Sequence, residues 1–266
     1  MEHFLIDGRE VAVEVVGSGP PLVLLHGILV DSRAWRHQLD GLRHQFTVVA
    51  WDLPGCGRSA DPPPTWRFPE YADCLAELMS TMGLASPIVC GFSWGGALAI
   101  AIQDRHPSAA SALILVGAYA GWAGSLPREV VDERLASCVA QSTLAGPDVA
   151  SAWLPGLFTP AAPAQLVDEY TRLISEFHPS GFLTMAHAVA EADLRAALPT
   201  IDVPVLVLHG EDDRRAPAGS VGADLAARLP RARLQLIAGA GHLCHAERSE
   251  AFNAAVREFA HGLRDR

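Results

Sequence analysis

Short apolar runs recur along the chain, each followed by a longer amphipathic stretch. The runs are VEVV (13–16), LVLLH (22–26), FTVVAW (46–51), PIVCGF (87–92), ALILVG (112–117), PVLVLHG (204–210) and LQLIAG (234–239). Most are near-continuously apolar rather than alternating, which predicts strands buried on both faces of a parallel sheet. The N-terminal segment, MEHFLIDGREVAVEVVG, reads as strand, turn, strand. Helical patterns lie at 32–43, 69–82, 95–105, 217–229 and 247–262. Strand and helix in this alternation predict a doubly wound α/β sheet with right-handed crossovers.

One stretch breaks the rhythm. From Tyr119 to about Glu191 no strand-like run occurs, only amphipathic patterns separated by Pro and Gly, as at Pro127, Gly146-Pro147, Pro155-Gly156 and Pro179. A long strand-free stretch inside a βα alternation predicts an inserted helical subdomain. The expected organisation is a core of residues 1–118 and 192–266, interrupted by a helical lid over 119–191.

Composition supports this picture and closes several classes of chemistry. A chain of 266 residues, half of them apolar and 19% charged, can bury a sizeable core. All 20 basic residues are Arg. Without Lys no Schiff-base lysine and no phosphate-binding loop lysine can exist, so PLP enzymes, lysine aldolases and P-loop NTPases are excluded. The net charge of −10 speaks against a nucleic-acid partner. The five cysteines are scattered with no CxxC pair, as in a reduced, cytoplasmic protein. No signal peptide and no membrane-spanning run is read from the sequence.

Candidate chemistry concentrates at strand ends. Gly91-Phe92-Ser93-Trp94-Gly95-Gly96 follows an apolar run and opens a helical one. G-x-S-x-G between strand and helix is a nucleophile elbow: glycines let the backbones approach, and the tight turn exposes the serine hydroxyl at a helix N-terminus. A serine nucleophile needs a base, and the base an orienting carboxylate, in the chain order Ser, acid, His. His242 follows the Gly-rich turn after 234–239 and is favoured as base over His245, three residues on. Glu211, Asp212 and Asp213 follow 204–210. Asp213 is favoured over Asp212, which would instead cap the helix near Pro217, and Glu211 is expected to face solvent. His26-Gly27 ends the run 22–26. The backbone N–H groups of Ile28 and Trp94 are the expected oxyanion donors, with His26 a structural hydrogen-bonding residue.

In order along the chain, His26-Gly27, Asp52-Leu53-Pro54-Gly55-Cys56-Gly57-Arg58-Ser59, the Ser93 elbow, Gly210-Glu211-Asp212-Asp213 and Gly241-His242 resemble the α/β-hydrolase fold family, in particular its small helical-capped esterase, enol-lactonase and acyl-homoserine-lactonase-like members. The resemblance implies a mostly parallel eight-stranded sheet flanked by helices, with an inserted helical cap. It implies a triad of Ser93, Asp213 and His242, an oxyanion hole from Ile28 and Trp94, and no cofactor or metal. Asp52 and Arg58 are implied to brace loops. The expected reaction is hydrolysis of a small-molecule carboxylic ester or lactone through an acyl-enzyme, by a monomer or homodimer. Ser at the nucleophile position disfavours the family's dehalogenases and epoxide hydrolases, and the missing Lys disfavours a lyase that depends on it. Perhydrolase or haloperoxidase-like activity, C–C bond hydrolysis, acyl transfer and a triad-retaining ligand receptor remain open alternatives.

Weaker signals carry plain readings beside functional ones. Trp122, Trp153 and Phe158 are candidate substrate-binding residues, with Trp35 and Phe182 further candidates; each also reads as helix packing. His242-Leu243-Cys244-His245 suggests metal ligands, but no second cluster completes a tetrahedral set. Cys90 reads as inert core.

Overall fold

The computed structural model describes residues 1–264. One eight-stranded sheet organises them: β1 (Glu2–Ile6), β2 (Arg9–Gly17), β3 (Pro21–Leu25), β4 (Thr47–Trp51), β5 (Ile88–Phe92), β6 (Ala112–Val116), β7 (Val205–Gly210) and β8 (Ala232–Ile237). Their order across the sheet is β1-β2-β4-β3-β5-β6-β7-β8. The pairs β1/β2 and β2/β4 are antiparallel and all others parallel.

Local sequence explains this arrangement. The β1–β2 hairpin turns on Asp7-Gly8, both at positive φ (46° and 73°), as a two-residue hairpin turn with the strands' own twist demands. Strands β5, β6 and β7 are buried at every position because helices cover both faces. Strand β8 lies at the sheet edge, with Leu234 and Leu236 exposed.

The helices are α1 (Arg36–Leu42), α2 (Phe68–Thr81), α3 (Trp94–Arg105), α4 (Arg128–Gln141), α5 (Gly146–Trp153), α6 (Ala164–Ser175), α7 (Pro179–Glu191), α8 (Ala223–Arg228), α9 (Cys244–Glu247) and α10 (Ser249–Arg264). Three patterns read from the sequence as single helices are interrupted. Residues 32–43 begin with a tight turn over Ser32–Trp35, capped by the Asp31 carboxylate, before α1. Residues 217–229 begin with a wide π-type turn over Ala218–Gly222, where Ala-Gly-Ser-Val-Gly holds helix poorly, and only then enter α8. The last pattern divides at Arg248, whose φ of −133° and ψ of 52° are not helical, into α9 and α10.

The strand-free stretch holds α4 to α7, between β6 and β7. Several bonds seat these helices on the sheet side of the molecule. Arg67 forms a bidentate pair with Glu191 (2.7 and 3.0 Å), and Arg33 links buried Asp31 to Glu176. The Tyr170 hydroxyl donates to the Ala34 carbonyl at 3.2 Å. Exposed ion pairs of this kind are individually worth about 0–1 kcal/mol. The apolar seam beneath them, with Tyr170, Phe182 and Met185 buried, is the larger contribution. Among the described residues no helix is long and apolar enough to cross a membrane.

Candidate active site

Four neighbouring parallel strands, β5 to β8, run their carboxyl ends to one edge of the sheet, which is where crevices form in open α/β sheets. Ser93 follows β5, Gly117 follows β6, Asp213 lies three residues past β7, and His242 follows the turn after β8. Residues far apart in sequence therefore meet because their strands are adjacent.

Ser93 sits at φ 51° and ψ −109°, a region that L-residues avoid. The surroundings hold it there. Its N–H donates to the Val116 carbonyl at 2.8 Å, and its own carbonyl accepts from Gly96 and Ala97 at the start of α3. The turn closes so tightly that a Cβ on Gly95 would lie 2.3 Å from the Leu25 carbonyl, and one on Gly91 2.1 Å from the Gly95 carbonyl. Both motif glycines are thus required by close approach of backbones. The Trp94 indole anchors the elbow from outside, donating to the Met185 carbonyl on α7 at 2.9 Å.

Asp213 and His242 are buried together, Oδ2 to Nδ1 2.8 Å. The other carboxylate oxygen accepts the N–H groups of Arg215 and Ala216 at 2.8 and 2.9 Å, which fixes the acid's orientation. Burial pushes this carboxyl upward. The His242 ring beside it and the bonds from that ring and the Ala216 N–H outweigh burial and hold it below the usual carboxylate range. An ionised Asp213 places the imidazole proton on Nδ1 and leaves Nε2 as the basic nitrogen. His242 also packs on Phe92, ring centroids 4.9 Å apart, directly beside Ser93 in sequence. Gly117, at φ 51°, leaves room for the ring: a Cβ there would lie 3.1 Å from His242 Nδ1.

The neighbouring candidates fall elsewhere. Glu211 and Asp212 are exposed, and the helical turn after Pro217 has no side-chain cap from Asp212. His245 lies in the core among Trp35, Phe92 and Phe252, with Nε2 3.2 Å from the Tyr170 hydroxyl, and burial pushes its pKa down to about 3. Cys90 and Cys244 are buried free thiols whose pKa burial drives upward. Among the described residues no group of His, Cys, Asp and Glu could hold a metal ion.

The loop after β3 comes close to the elbow. A Cβ on Gly27 would lie 2.8 Å from the Phe92 ring and 3.5 Å from Ser93 Cβ. His26 braces this loop: Nδ1–H donates to the Gly27 carbonyl at 2.7 Å, and Nε2 accepts the Leu53 N–H at 3.0 Å. Full burial lowers its proton affinity and suits this neutral form. Asp52 ties the same loop down, accepting the N–H groups of Ser32 (2.8 Å) and Arg58 (3.0 Å). Leu29 is held at φ 68°. No acceptor among the described residues takes the N–H of Ile28 or Trp94.

Of the aromatic candidates, Trp122 and Trp153 face a cavity of about 190 Å³ between α4, α5 and the loop after β7. Phe158 is half-buried, edge-on to Tyr170 at 5.4 Å. Phe182 packs on Trp153 and Phe177, and Trp35 is fully buried in the core.

Two residues of this region were not singled out from the sequence. His209, on β7, donates from Nδ1 to the Ala216 carbonyl at 3.0 Å and lies 4.0 Å from Asp213 Oδ2, and burial keeps it neutral. Glu247 accepts the N–H of Gly241 at 2.8 Å with one oxygen and that of Thr159 at 3.0 Å with the other. Neither has a local sequence signal, since both act through partners brought by the fold.

This sheet, elbow and acid–imidazole pair define a class, and comparison with known proteins names it. Residues 20–249 match the family model described as alpha/beta hydrolase fold, and the chain belongs to that family of hydrolases. Among its relatives, a putative carbamate hydrolase RutD of Caulobacter sp. (strain K31) is 32% identical, covering 98% of this chain and 99% of the relative. The thermophilic esterase of Thermogutta terrifontis superposes with a TM-score of 0.92 at 27% identity over 99% of both chains. The enol-lactonase of Burkholderia xenovorans LB400 gives a TM-score of 0.87 at 26% identity, covering 97% of this chain and 99% of its own.

Proposed function

We propose that the protein is a serine hydrolase of carboxylic esters or lactones, acting through an acyl-enzyme on Ser93, His242 and Asp213. The observation that carries this reading is the buried Asp213–His242 pair, 2.8 Å apart, with His242 packed on Phe92, the residue before a serine held at positive φ. His242 Nε2 takes the proton of Ser93 Oγ as the oxygen attacks the carbonyl. Asp213 holds the tautomer and stabilises the imidazolium. The Ile28 and Trp94 N–H groups receive the oxyanion, and the positive end of α3 favours the same charge. His242 then returns the proton to the leaving alkoxide, and water, deprotonated by the same imidazole, releases the acid. Helices α4 to α7 form the cap over a core made of the rest of the chain, and Trp122, Trp153 and Phe158 belong to its substrate side. Esterase and enol-lactonase neighbours in structure support an ester or lactone substrate.

The test pairs labelling with turnover. A fluorophosphonate should label the wild-type protein on Ser93, and p-nitrophenyl esters or simple lactones should be hydrolysed. Ser93→Ala should abolish both. Labelling retained in Ser93→Ala, or no turnover across aryl, alkyl and lactone substrates, would overturn the reading.

A further inference from the structure

The cavity beside the acid loop is cationic. Arg134 on α4 and Arg214 and Arg215 on the loop after β7 line it together with Trp122 and Trp153, and no carboxylate does. None of the three arginines is ion-paired with a carboxylate among the described residues. That is notable in a chain with ten more acidic than basic residues, 30 against 20.

Arg215 is the centre of the arrangement. Its side chain is mostly buried, and burial lowers its proton affinity, which the charge of the nearby Asp213 offsets only in part. A guanidinium taken out of water without a directly bonded anion is costly. Its guanidinium lies over the Trp153 ring, Cζ 4.2 Å from the centroid. This cation–π contact involves none of its N–H donors in a hydrogen bond, and among the described residues the side chain makes none, so the fork that fits a carboxylate is available. Arg134 holds the backbone of the site: it donates to the Arg215 carbonyl at 3.2 Å and to the Tyr119 hydroxyl at 3.1 Å. The N–H of Arg215 in turn donates to Asp213, so the cationic residue is bonded directly to the acid of the proposed triad.

We propose that this cavity binds the carboxylate of the substrate, so that the protein acts on esters or lactones bearing a free acid group on an apolar spacer. Trp122 and Trp153 flank the spacer, and Arg215 takes the carboxylate as a bidentate pair. The proposal rests on the Ser93 reading for where the reacting carbonyl sits, but the anion site itself can be tested without turnover.

The experiment compares p-nitrophenyl monoesters of dicarboxylic acids, succinate to suberate, with the same molecules capped as neutral methyl esters. For at least one length the free acid should be preferred in kcat/KM by about tenfold or more, the size of one charge-assisted hydrogen bond. Arg215→Met should reduce that acid-to-neutral ratio by a similar factor, and Arg215→Lys should restore part of it. Salt should shrink the preference. No preference at any length in the wild type, or a ratio unchanged in Arg215→Met, would overturn the proposal. Binding of the free dicarboxylates to Ser93→Ala protein, read by tryptophan fluorescence, separates the two ideas. If no ester is turned over yet a dicarboxylate binds and Arg215→Met abolishes binding, only the hydrolase reading fails. If esters are turned over but no dicarboxylate binds at millimolar concentration, only the anion site fails.

Discussion

The carboxylate of Glu247 accepts the backbone N–H of Gly241, 2.8 Å away, and so holds the residue immediately before His242. Its second oxygen accepts from both the N–H and the hydroxyl of Thr159, between α5 and α6. A further bond, from the Leu243 N–H to the Leu157 carbonyl at 3.1 Å, ties the same two segments. The loop that carries the imidazole is thus fastened to the inserted helices. Glu247→Ala leaves the buried Gly241 N–H without an acceptor, worth roughly 1–3 kcal/mol, and the half-buried Thr159 N–H and hydroxyl without theirs at a smaller cost. The expected outcome is a lower unfolding midpoint in urea and a fall in kcat that exceeds any change in KM. An unchanged kcat in folded protein would show that the loop keeps its geometry without this carboxylate.

The two adjacent aspartates should separate sharply. Asp213 faces His242, whereas Asp212 is exposed. Asp213→Asn should lower kcat by about four orders of magnitude, through the wrong imidazole tautomer, with little change in fold. Asp212→Asn should change kcat by less than about threefold, as surface changes do. Steady-state kinetics on one activated ester decides, and the reverse ranking would reassign the acid.

Gly117→Ala tests the space beside the imidazole. The residue has φ 51°, and the new methyl would lie 3.1 Å from His242 Nδ1 and 3.4 Å from Asp213 Oδ2. The left-handed backbone alone costs an alanine roughly 1–2 kcal/mol. Displacement of the ring should lower kcat by about tenfold or more, since small misplacements of a catalytic group are expensive. Calorimetry and kcat together separate backbone strain from loss of alignment.

Three buried histidines, His26, His209 and His245, have proton affinities lowered by burial. The unfolded chain therefore binds more protons than the folded one once pH falls below the ordinary value of 6.5. Stability should be full above that pH and decline below it, each group contributing up to about 1.4 kcal/mol per pH unit. For His245 the decline continues down to about 3. Asp213, whose value is depressed from 3.8, contributes fully above that pH and loses its contribution as pH falls below it. Urea unfolding between pH 7 and about pH 4.5 should show the slope, and His245→Gln should reduce it. An unaltered slope in that variant would assign the loss to other groups.

Much of the architecture was legible in the chain. Runs such as ALILV in β6 and VLVLH in β7 are too uniformly apolar for any setting but a sheet covered on both faces, and they form such strands. Where a helix pattern was read as continuous, backbone detail intervened, as at Arg248 and at the glycines of 218–222. Periodicity records which face is apolar, not whether each residue keeps helical dihedrals.

The candidate site divides in the same way. The elbow is a local device: Gly91, Ser93 and Gly95 are neighbours, and the steric demand on each is set by a few residues of chain, so the sequence determined it. The ordering of strands also brought Asp213 and His242 into view as residues at strand ends. Only the tertiary structure decided which carboxylate turns inward, that His245 is core, and that Glu247, His209 and Arg215 stand beside the site. Those outcomes depend on burial and on bonds such as Gly241 N–H to Glu247 and Arg215 N–H to Asp213. A side chain's partners across the fold leave no periodic trace in the sequence, because they are chosen by the packing of segments that meet only once the sheet has formed.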